Sequence, residues 1–491
     1  MKKKTFLARV RWGALAMLAT GGLLLTSCAS DGFDEETYSP TVGEGDLVSP
    51  AVEDVKITAT ATGAEQVISW PVQMGVGGYQ VDLFDVTDPS NIVTVFSGLV
   101  DGTSVRLPRS EDTDYFLTIL AKGNAKYKKE DASSATEISY TTFIPAYQII
   151  PSGKDLSKYF EENPVPTDLD SDEIIYDLPA GGEFTMSQSI EFGTKRVVLR
   201  GKSKSNRAKL TLTGNASFLI KSGFVLRTID IDGSQSSEAL IAGSKNPDEA
   251  SKGASGVGDF YMIGYTNHPS PVTIQNCNID GLNGYLLFDN SVKYCIKDFT
   301  IDNCQIHFTS STDNINSGAY IYFKSGYIND LVVQNSTFWN TGEQKAKYFT
   351  QYANNQRGSR SGLGNTTVTY INNTFYKLVP GNQWANYSGL SGQASTYITV
   401  KNNIWVDCSI AGQIARRING GNNNSINRSY AFNTYYNDGS DTSESESTYD
   451  NGVILTTNPE FGNPDNGDFT ISGSEQVEKG TGDPRWFPTF E

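Results

Sequence analysis

From about Val52 to Phe143 the chain shows short runs of alternating apolar and polar residues. Turn residues interrupt them roughly every eight to twelve positions, the pattern of a small antiparallel sandwich. Val67-Ile68-Ser69-Trp70 reads as a strand with a core tryptophan, and Tyr79-Gln80-Val81-Asp82-Leu83-Phe84 as its neighbour. In Asp114-Tyr115-Phe116-Leu117-Thr118-Ile119-Leu120 a tyrosine stands where such sandwiches place their tyrosine corner. These aromatics are expected in the core.

A short helix is expected over Gly153-Lys154-Asp155-Leu156-Ser157-Lys158-Tyr159-Phe160, and beyond it the periodicity changes. Five segments repeat an aliphatic residue, a polar residue, an asparagine and a small or polar residue: Ile274-Gln275-Asn276-Cys277, Ile301-Asp302-Asn303-Cys304, Val333-Gln334-Asn335-Ser336, Ile371-Asn372-Asn373-Thr374 and Val400-Lys401-Asn402-Asn403. Their asparagines are read at spacings of 27, 32, 38 and 29 residues, a solenoid period with loops of varying length, and Asn433 continues the series. In a parallel β-helix each coil presents the same turn about 4.8 Å from the next. An asparagine amide there donates to one neighbour and accepts from the other, pairing polar groups that are costly to bury alone. Arg196-Val197-Val198-Leu199-Arg200-Gly201, Lys209-Leu210-Thr211-Leu212-Thr213-Gly214 and Leu226-Arg227-Thr228-Ile229-Asp230-Ile231 begin the same stack without the ladder. The helix before the stack and the final Asp468-Phe469-Thr470-Ile471 with Trp486-Phe487-Pro488 are expected to cap its ends. The fold class expected is all-β, an antiparallel sandwich over 51–144 followed by a parallel β-helix over 145–491.

The amino terminus adds a destination. Lys2, Lys3, Lys4, Arg9 and Arg11 precede an apolar stretch, Gly13 to Leu25, too short to span a bilayer, so 1–27 reads as a signal peptide. Leu25-Thr26-Ser27-Cys28 resembles the lipobox of bacterial lipoproteins, which makes Cys28 the expected lipidation site and the membrane a partner through that anchor. Residues 28–50, with Asp31, Asp34, Glu35 and Glu36, read as an acidic flexible tether. An acidic run there resembles the export signal of surface-exposed lipoproteins, so the expected location is the outer membrane, facing the exterior; a solvated linker facing the periplasm is the alternative.

Losing the signal peptide removes five basic residues and no acidic ones, which takes the formal net charge from −16 to −21. Nucleic acid is therefore excluded as a partner, because phosphate neutralisation needs basic clusters. Four cysteines remain, Cys277, Cys295, Cys304 and Cys408, too few for a disulfide scaffold. Cys277 and Cys304 hold equivalent positions in adjacent coils, and a buried thiol pair is favoured over a disulfide because stacked side chains point the same way. His268 and His307 are the only histidines, which excludes multi-histidine metal sites and argues against histidine-based triads.

A solenoid offers a long shallow face suited to a linear polymer. Aligning the second strand of each coil, from Tyr285 to Asp289, Ala319 to Lys324, Tyr348 to Tyr352, Trp384 to Ser388 and Gly412 to Arg417, places Asp289, Lys324, Gln351, Tyr387 and Arg416 in one column. Arg357 and Arg360 lie on an adjoining loop. The expected glycan contacts are Tyr322, Gln351, Tyr352, Arg357, Trp384, Tyr387 and Arg417, the aromatics stacking on sugar faces. In a lyase alternative, Lys324 or Arg416 would take the sugar C5 proton. No cofactor is expected; calcium belongs to the lyase alternative alone, and Asp289 is the single weak candidate ligand, Asp313 and Asp407 lying elsewhere. The column's competing reading is a solvated strand edge whose aromatics cover core. Asp441-Thr442-Ser443-Glu444-Ser445-Glu446 reads as a solvated acidic excursion.

Several resemblances add to this. Residues 52–143 resemble a fibronectin type III module by Trp70, Tyr79 and Tyr115, a role that implies spacing the next domain from the membrane. Trp405-Val406-Asp407-Cys408 is similar to the Trp-x-Asp-His-Cys of pectate lyases without its histidine, and Arg417-Ile418-Asn419 to the Arg-Ile-Lys of polygalacturonases without its lysine. Gly153-Lys154-Asp155-Leu156, Gly181-Gly182-Glu183-Phe184, Val198-Leu199-Arg200-Gly201-Lys202 and Gly482-Asp483-Pro484-Arg485-Trp486 resemble surface lipoproteins of bacterial glycan-utilisation systems, which combine such a module with a right-handed, pectate-lyase-like β-helix. That resemblance implies a context and brings no catalytic residue. It leads to a cell-surface lipoprotein binding plant-type pectic polysaccharide; the alternatives are a polysaccharide lyase acting by β-elimination on uronates and an adhesion or scaffold stalk. Oligomeric state is left open.

Overall fold

The computed structural model describes residues 45–61, 63–89, 92–171, 173–264, 271–310, 315, 317–343, 345–352, 363–387, 396–420 and 427–488. The signal peptide, Cys28 and most of the acidic tether lie outside the described residues, as do Arg357, Arg360 and Asp313. No described helix is long and apolar enough to cross a membrane. The chain is all-β and divides into two compact units.

Antiparallel sheets make up the first part. One has three strands, Lys56–Ala59, Glu65–Ser69 and Ser104–Pro108. The other has four, Val93–Val100, Tyr79–Asp85, Asp114–Ala121 and Thr136–Thr141. Strict alternation puts Tyr79, Val81 and Leu83 inside, and likewise Tyr115, Leu117, Ile119 and Ala121. Trp70 is buried edge-on against Tyr79, at 5.2 Å between ring centres. The buried Tyr115 hydroxyl accepts from the Ser110 N–H at 2.8 Å, tying a strand to the corner that precedes it.

Large parallel sheets make up the rest, the arrangement of a β-helix. Each full coil contributes a strand to sheet I, makes a tight turn into sheet II, and crosses a longer loop to sheet III. Tyr294–Asp302, Gln305–Phe308 and Ala319–Phe323 are one such coil. Among the described residues sheets I and II have eleven strands each and sheet III has seven. The enclosed core is a continuous stack. Phe338, Phe375, Trp405 and Tyr435 follow one another from coil to coil at 5.2 to 5.4 Å between rings.

The turn from sheet I to sheet II explains the asparagine repeat, with two columns where the sequence suggests one. Asn276, Asn303, Asn335, Asn372 and Asn402 all adopt left-handed backbone conformations, φ between 49° and 57°. Asparagine tolerates that region better than other residues with a side chain. The repeat spacing suggests Asn373 for this column, but Asn372 holds it. Asn373 is the next position inward, with Cys277, Cys304, Ser336, Asn403 and Asn433 at the same step of their turns. This inner column is fully buried. Asn373 Nδ2 donates to Asn403 Oδ1 at 2.9 Å, and Asn403 Nδ2 to Asn433 Oδ1 at 3.1 Å. The outer amides make a second, interrupted ladder, with Asn303 donating to Asn276 at 2.7 Å and Asn372 to Asn335 at 3.1 Å.

At the amino end the helix Leu156–Glu162 buries Leu156, Tyr159 and Phe160, as expected of a cap. The carboxyl-terminal segment behaves differently: it is a lateral strap over sheet II. Thr481 bonds to the Phe432 carbonyl at 2.9 Å, Gly482 N–H to the Asn402 carbonyl at 2.8 Å, and Trp486 Nε1 to Thr337 Oγ1 at 2.7 Å, so the strap runs back across successive coils. Phe469 packs against both Trp339 and Tyr376 on the outward side of that sheet. The acidic segment near 441–446 is a solvated excursion only in part, with Asp441, Glu444 and Ser445 exposed. It ends in a helical turn, Ser443–Glu446, whose Glu446 is wholly buried and accepts from the N–H groups of Ile414 and Ala415. Burial raises the Glu446 carboxyl to about 7.

Candidate functional site

The strands singled out in the sequence form sheet III, whose register differs from the sequence alignment. Phe288 pairs with Tyr322, Tyr322 with Gln351, and Gln351 with Asn386. All four are half-buried, so this is the outward column. Because side chains alternate with period two, a slip of one residue exchanges faces. Asp289 and Tyr387, each one residue past the true column, are buried for that reason, while Lys324, two past it, is exposed just beyond the strand Ala319–Phe323.

Three expected glycan contacts are therefore corrected. Trp384 is 0% exposed and stacked on Phe349 at 4.6 Å inside the coil. Tyr352 and Tyr387 are each 1% exposed, and the Tyr387 hydroxyl lies 2.8 Å from that of Tyr370 in the core. No sugar ring can reach those faces. Asp289 as a cation ligand is corrected too. Its oxygens already accept from the N–H groups of Ser291, Ser325 and Gly326, and burial still leaves its carboxyl raised to about 6. It closes a turn. Among the described residues no group of three or more histidine, cysteine, aspartate or glutamate side chains is placed to hold a metal ion.

Tyr322 stays on the outward column, and sequence reasoning misses two aromatics beside it, Tyr285 and Phe288. Phe288 and Tyr322 stack at 5.6 Å with 18° between ring planes, and Tyr285 closes on them at 5.0 and 5.4 Å. Together they make a partly exposed aromatic shelf on neighbouring coils. Gly318 lies beside the shelf, where a Cβ would stand 2.8 Å from the Tyr285 ring and 3.0 Å from that of Tyr322. Gln351 and Asn386 extend the column. Gln351 Oε1 is buried without a hydrogen-bond partner among the described residues.

Beyond Asn386 the helix Ala415–Ile418 packs against the strand Ala385–Asn386 and carries the two cations. Arg417 Nε donates to Gln413 Oε1 at 2.9 Å. Arg416 Nε is buried with no partner among the described residues, and its guanidinium lies 5.8 Å from the centre of the Tyr449 ring. Burial and the adjacent Arg416 charge lower the Arg417 pKa. An anion brought to this pair would relieve that repulsion. The sheet III face thus runs from an aromatic end, through two amides, to a cationic end. On four stacked strands it spans roughly 15 Å before the helix is reached.

Three family models match successive stretches of the chain: DUF4992 over residues 1–181, DUF4957 over 182–341 and DUF5123 over 368–486, each described as a domain of unknown function. No curated protein and no solved structure matches. The boundary at 181 falls at Gly181-Gly182, between a strand of sheet I, Glu173–Leu178, and the first of sheet II, Glu183–Met186. The first match therefore extends from the antiparallel domain into the opening coil, and the next two share the remaining coils.

Proposed function

We propose that the chain is a surface lipoprotein, anchored through Cys28, that binds an acidic plant-type polysaccharide, pectic in class, along the outward face of sheet III. The observation that carries this reading is the Tyr285, Phe288 and Tyr322 shelf in register with Gln351 and Asn386. Flat aromatic surface with a few orienting polar groups is the usual equipment for a sugar chain. Arg416 and Arg417, at the end of the same column, suit the carboxylate of a uronate.

The parallel coils are taken as a right-handed β-helix of pectate-lyase type, and the antiparallel domain as a fibronectin type III-like spacer between membrane and solenoid. Three-plus-four strands, Trp70 and the bond from Ser110 to Tyr115 support that assignment. A binding role is preferred to a lyase because Lys324 lies past the strand end and Arg416 is partly buried against Tyr449. Affinity electrophoresis in gels containing pectin, rhamnogalacturonan or neutral glycans, followed by an ultraviolet assay for unsaturated products, tests it. Retardation in acidic glycans without product is expected; product would establish the lyase, and neither signal would leave a scaffold.

A further inference from the structure

With two histidines in the chain a histidine-based triad is not expected, yet the coils bring one of them between a carboxylate and a hydroxyl on sheet II. His307 Nδ1 lies 2.6 Å from Asp280 Oδ1, and His307 Nε2 lies 2.7 Å from Thr341 Oγ1. A carboxylate only accepts, so Nδ1 carries its hydrogen. In the neutral ring the Nε2 lone pair then faces Thr341, whose O–H donates to it. This is the order in which an alcohol is activated as a nucleophile.

Successive coils hold the parts in place. The strand Asn278–Leu282 shifts register between Ile279 and Leu282, with Gly281 at φ 72°, and irregularities of this kind re-aim side chains. Here the neighbour is Asp280. The His307 ring lies parallel to the Trp339 indole at 4.8 Å and 7°, which fixes the imidazole plane. After the strand Thr337–Asn340, the Thr341 N–H donates to the Phe308 carbonyl at 3.1 Å. Residue 342 must be glycine, since a Cβ there would stand 1.6 Å from the Thr309 carbonyl oxygen. The imidazole is 17% exposed, whereas Asp280 is 76% exposed and Thr341 is open to solvent. A substrate has access to the hydroxyl.

We propose that Thr341, His307 and Asp280 form an acyl-transfer site that acts on ester groups borne by a polymer. An open position on a long face cannot enclose a small molecule, but it can meet substituents along a chain. Thr341 Oγ attacks the ester carbonyl carbon while its proton passes to His307 Nε2. The carbon–oxygen bond to the leaving alcohol then breaks, and His307 returns the proton to that oxygen. Water attacks the acyl-threonine, gives a proton to His307 and releases the carboxylic acid; the proton then restores the Thr341 hydroxyl. Asp280 is a positioning residue that keeps the imidazole in the required tautomer. The Gly342 N–H, now bonded to Asn340 Oδ1 at 3.1 Å, is a backbone donor beside the nucleophile that a developing oxyanion would draw away.

The test uses the full chain with 4-nitrophenyl acetate and with O-acetylated pectin, beside Thr341→Val, Thr341→Ser, His307→Gln and Asp280→Asn, each checked by its melting curve. Turnover at least about 100-fold above His307→Gln is expected. Thr341→Val should abolish it, Thr341→Ser should retain it, and the peptide containing Thr341 should be found acetylated. In Asp280→Asn kcat should fall while KM holds. Turnover retained in Thr341→Val, or wild-type turnover no greater than that of His307→Gln on both substrates, would overturn the proposal.

Discussion

Asn403 and Asn433 are joined by two hydrogen bonds onto one oxygen: Asn433 Oδ1 accepts from the Asn403 side-chain amide and from the Asn403 backbone N–H, both at 3.1 Å. One coil back, Asn403 Oδ1 serves Asn373 in the same way at 2.9 and 3.1 Å. The ladder closes where Asn433 Nδ2 meets Asp450 Oδ2 at 3.0 Å. Each amide satisfies its neighbour's backbone as well as its own ends, so the column works as one unit.

Asn403→Ala removes both acceptor bonds to Asn373 and leaves the carbonyls of Tyr370 and Lys401 without its amide. A loss of about 2–4 kcal/mol is expected, measured by urea unfolding. Asn372→Gly should cost less, under about 1 kcal/mol, because glycine accepts the left-handed backbone held at φ 56°.

Acid should stabilise the solenoid between about pH 8 and pH 5. Burial raises Asp289 and Asp483 to about 6 and Glu446 to about 7. Their folded values exceed those of the unfolded chain, so the native state holds more protons in that window and stability falls as pH rises through it. Each group contributes on the order of 2–3 kcal/mol at full effect. Melting temperature should therefore be higher at pH 5.5 than at pH 8, and Glu446→Gln should flatten the difference.

Trp486→Ala should release the strap without unfolding the early coils. The indole donates to Thr337 Oγ1 and meets Phe469 at 5.8 Å. Hydrogen exchange is expected to rise over 461–486 and to stay unchanged over 224–301. A uniform rise across all coils would show that the strap is instead part of the global folding unit.

Cys277, Cys295, Cys304 and Cys408 are fully buried thiols outside any disulfide. A thiol reagent should find none of these four in the native protein and all four after denaturation. A shortfall of two after denaturation without reductant would reveal a disulfide in the expressed protein.

These particulars show where the sequence was readable. The antiparallel strands, the tyrosine corner and the repeated turn announce themselves through period-two patterns and through asparagine at left-handed positions. Sheet III does not. Two of its strands that set the column, Leu287–Phe288 and Ala385–Asn386, are two residues long and are reached by loops of unequal length, so nothing local fixes their register. Hence the sequence alone suggests that Trp384 and Tyr387 are exposed when they are core, and does not single out Phe288 and Tyr285. Asn372 and Asn373 invite the same one-residue ambiguity. Glu446 and the strap depend on partners thirty or more residues away, which no local pattern contains.

The central claim, a glycan face on sheet III, is tested most directly by titrating the protein with pectic oligosaccharide and comparing Tyr322→Ala with Trp384→Ala. The account predicts that Tyr322→Ala keeps the wild-type melting temperature within a few degrees and weakens binding at least tenfold, about 1.4 kcal/mol. Trp384→Ala should instead lower stability by about 3–5 kcal/mol. Wild-type affinity in Tyr322→Ala, or no binding of any acidic glycan by the wild-type chain, would contradict it.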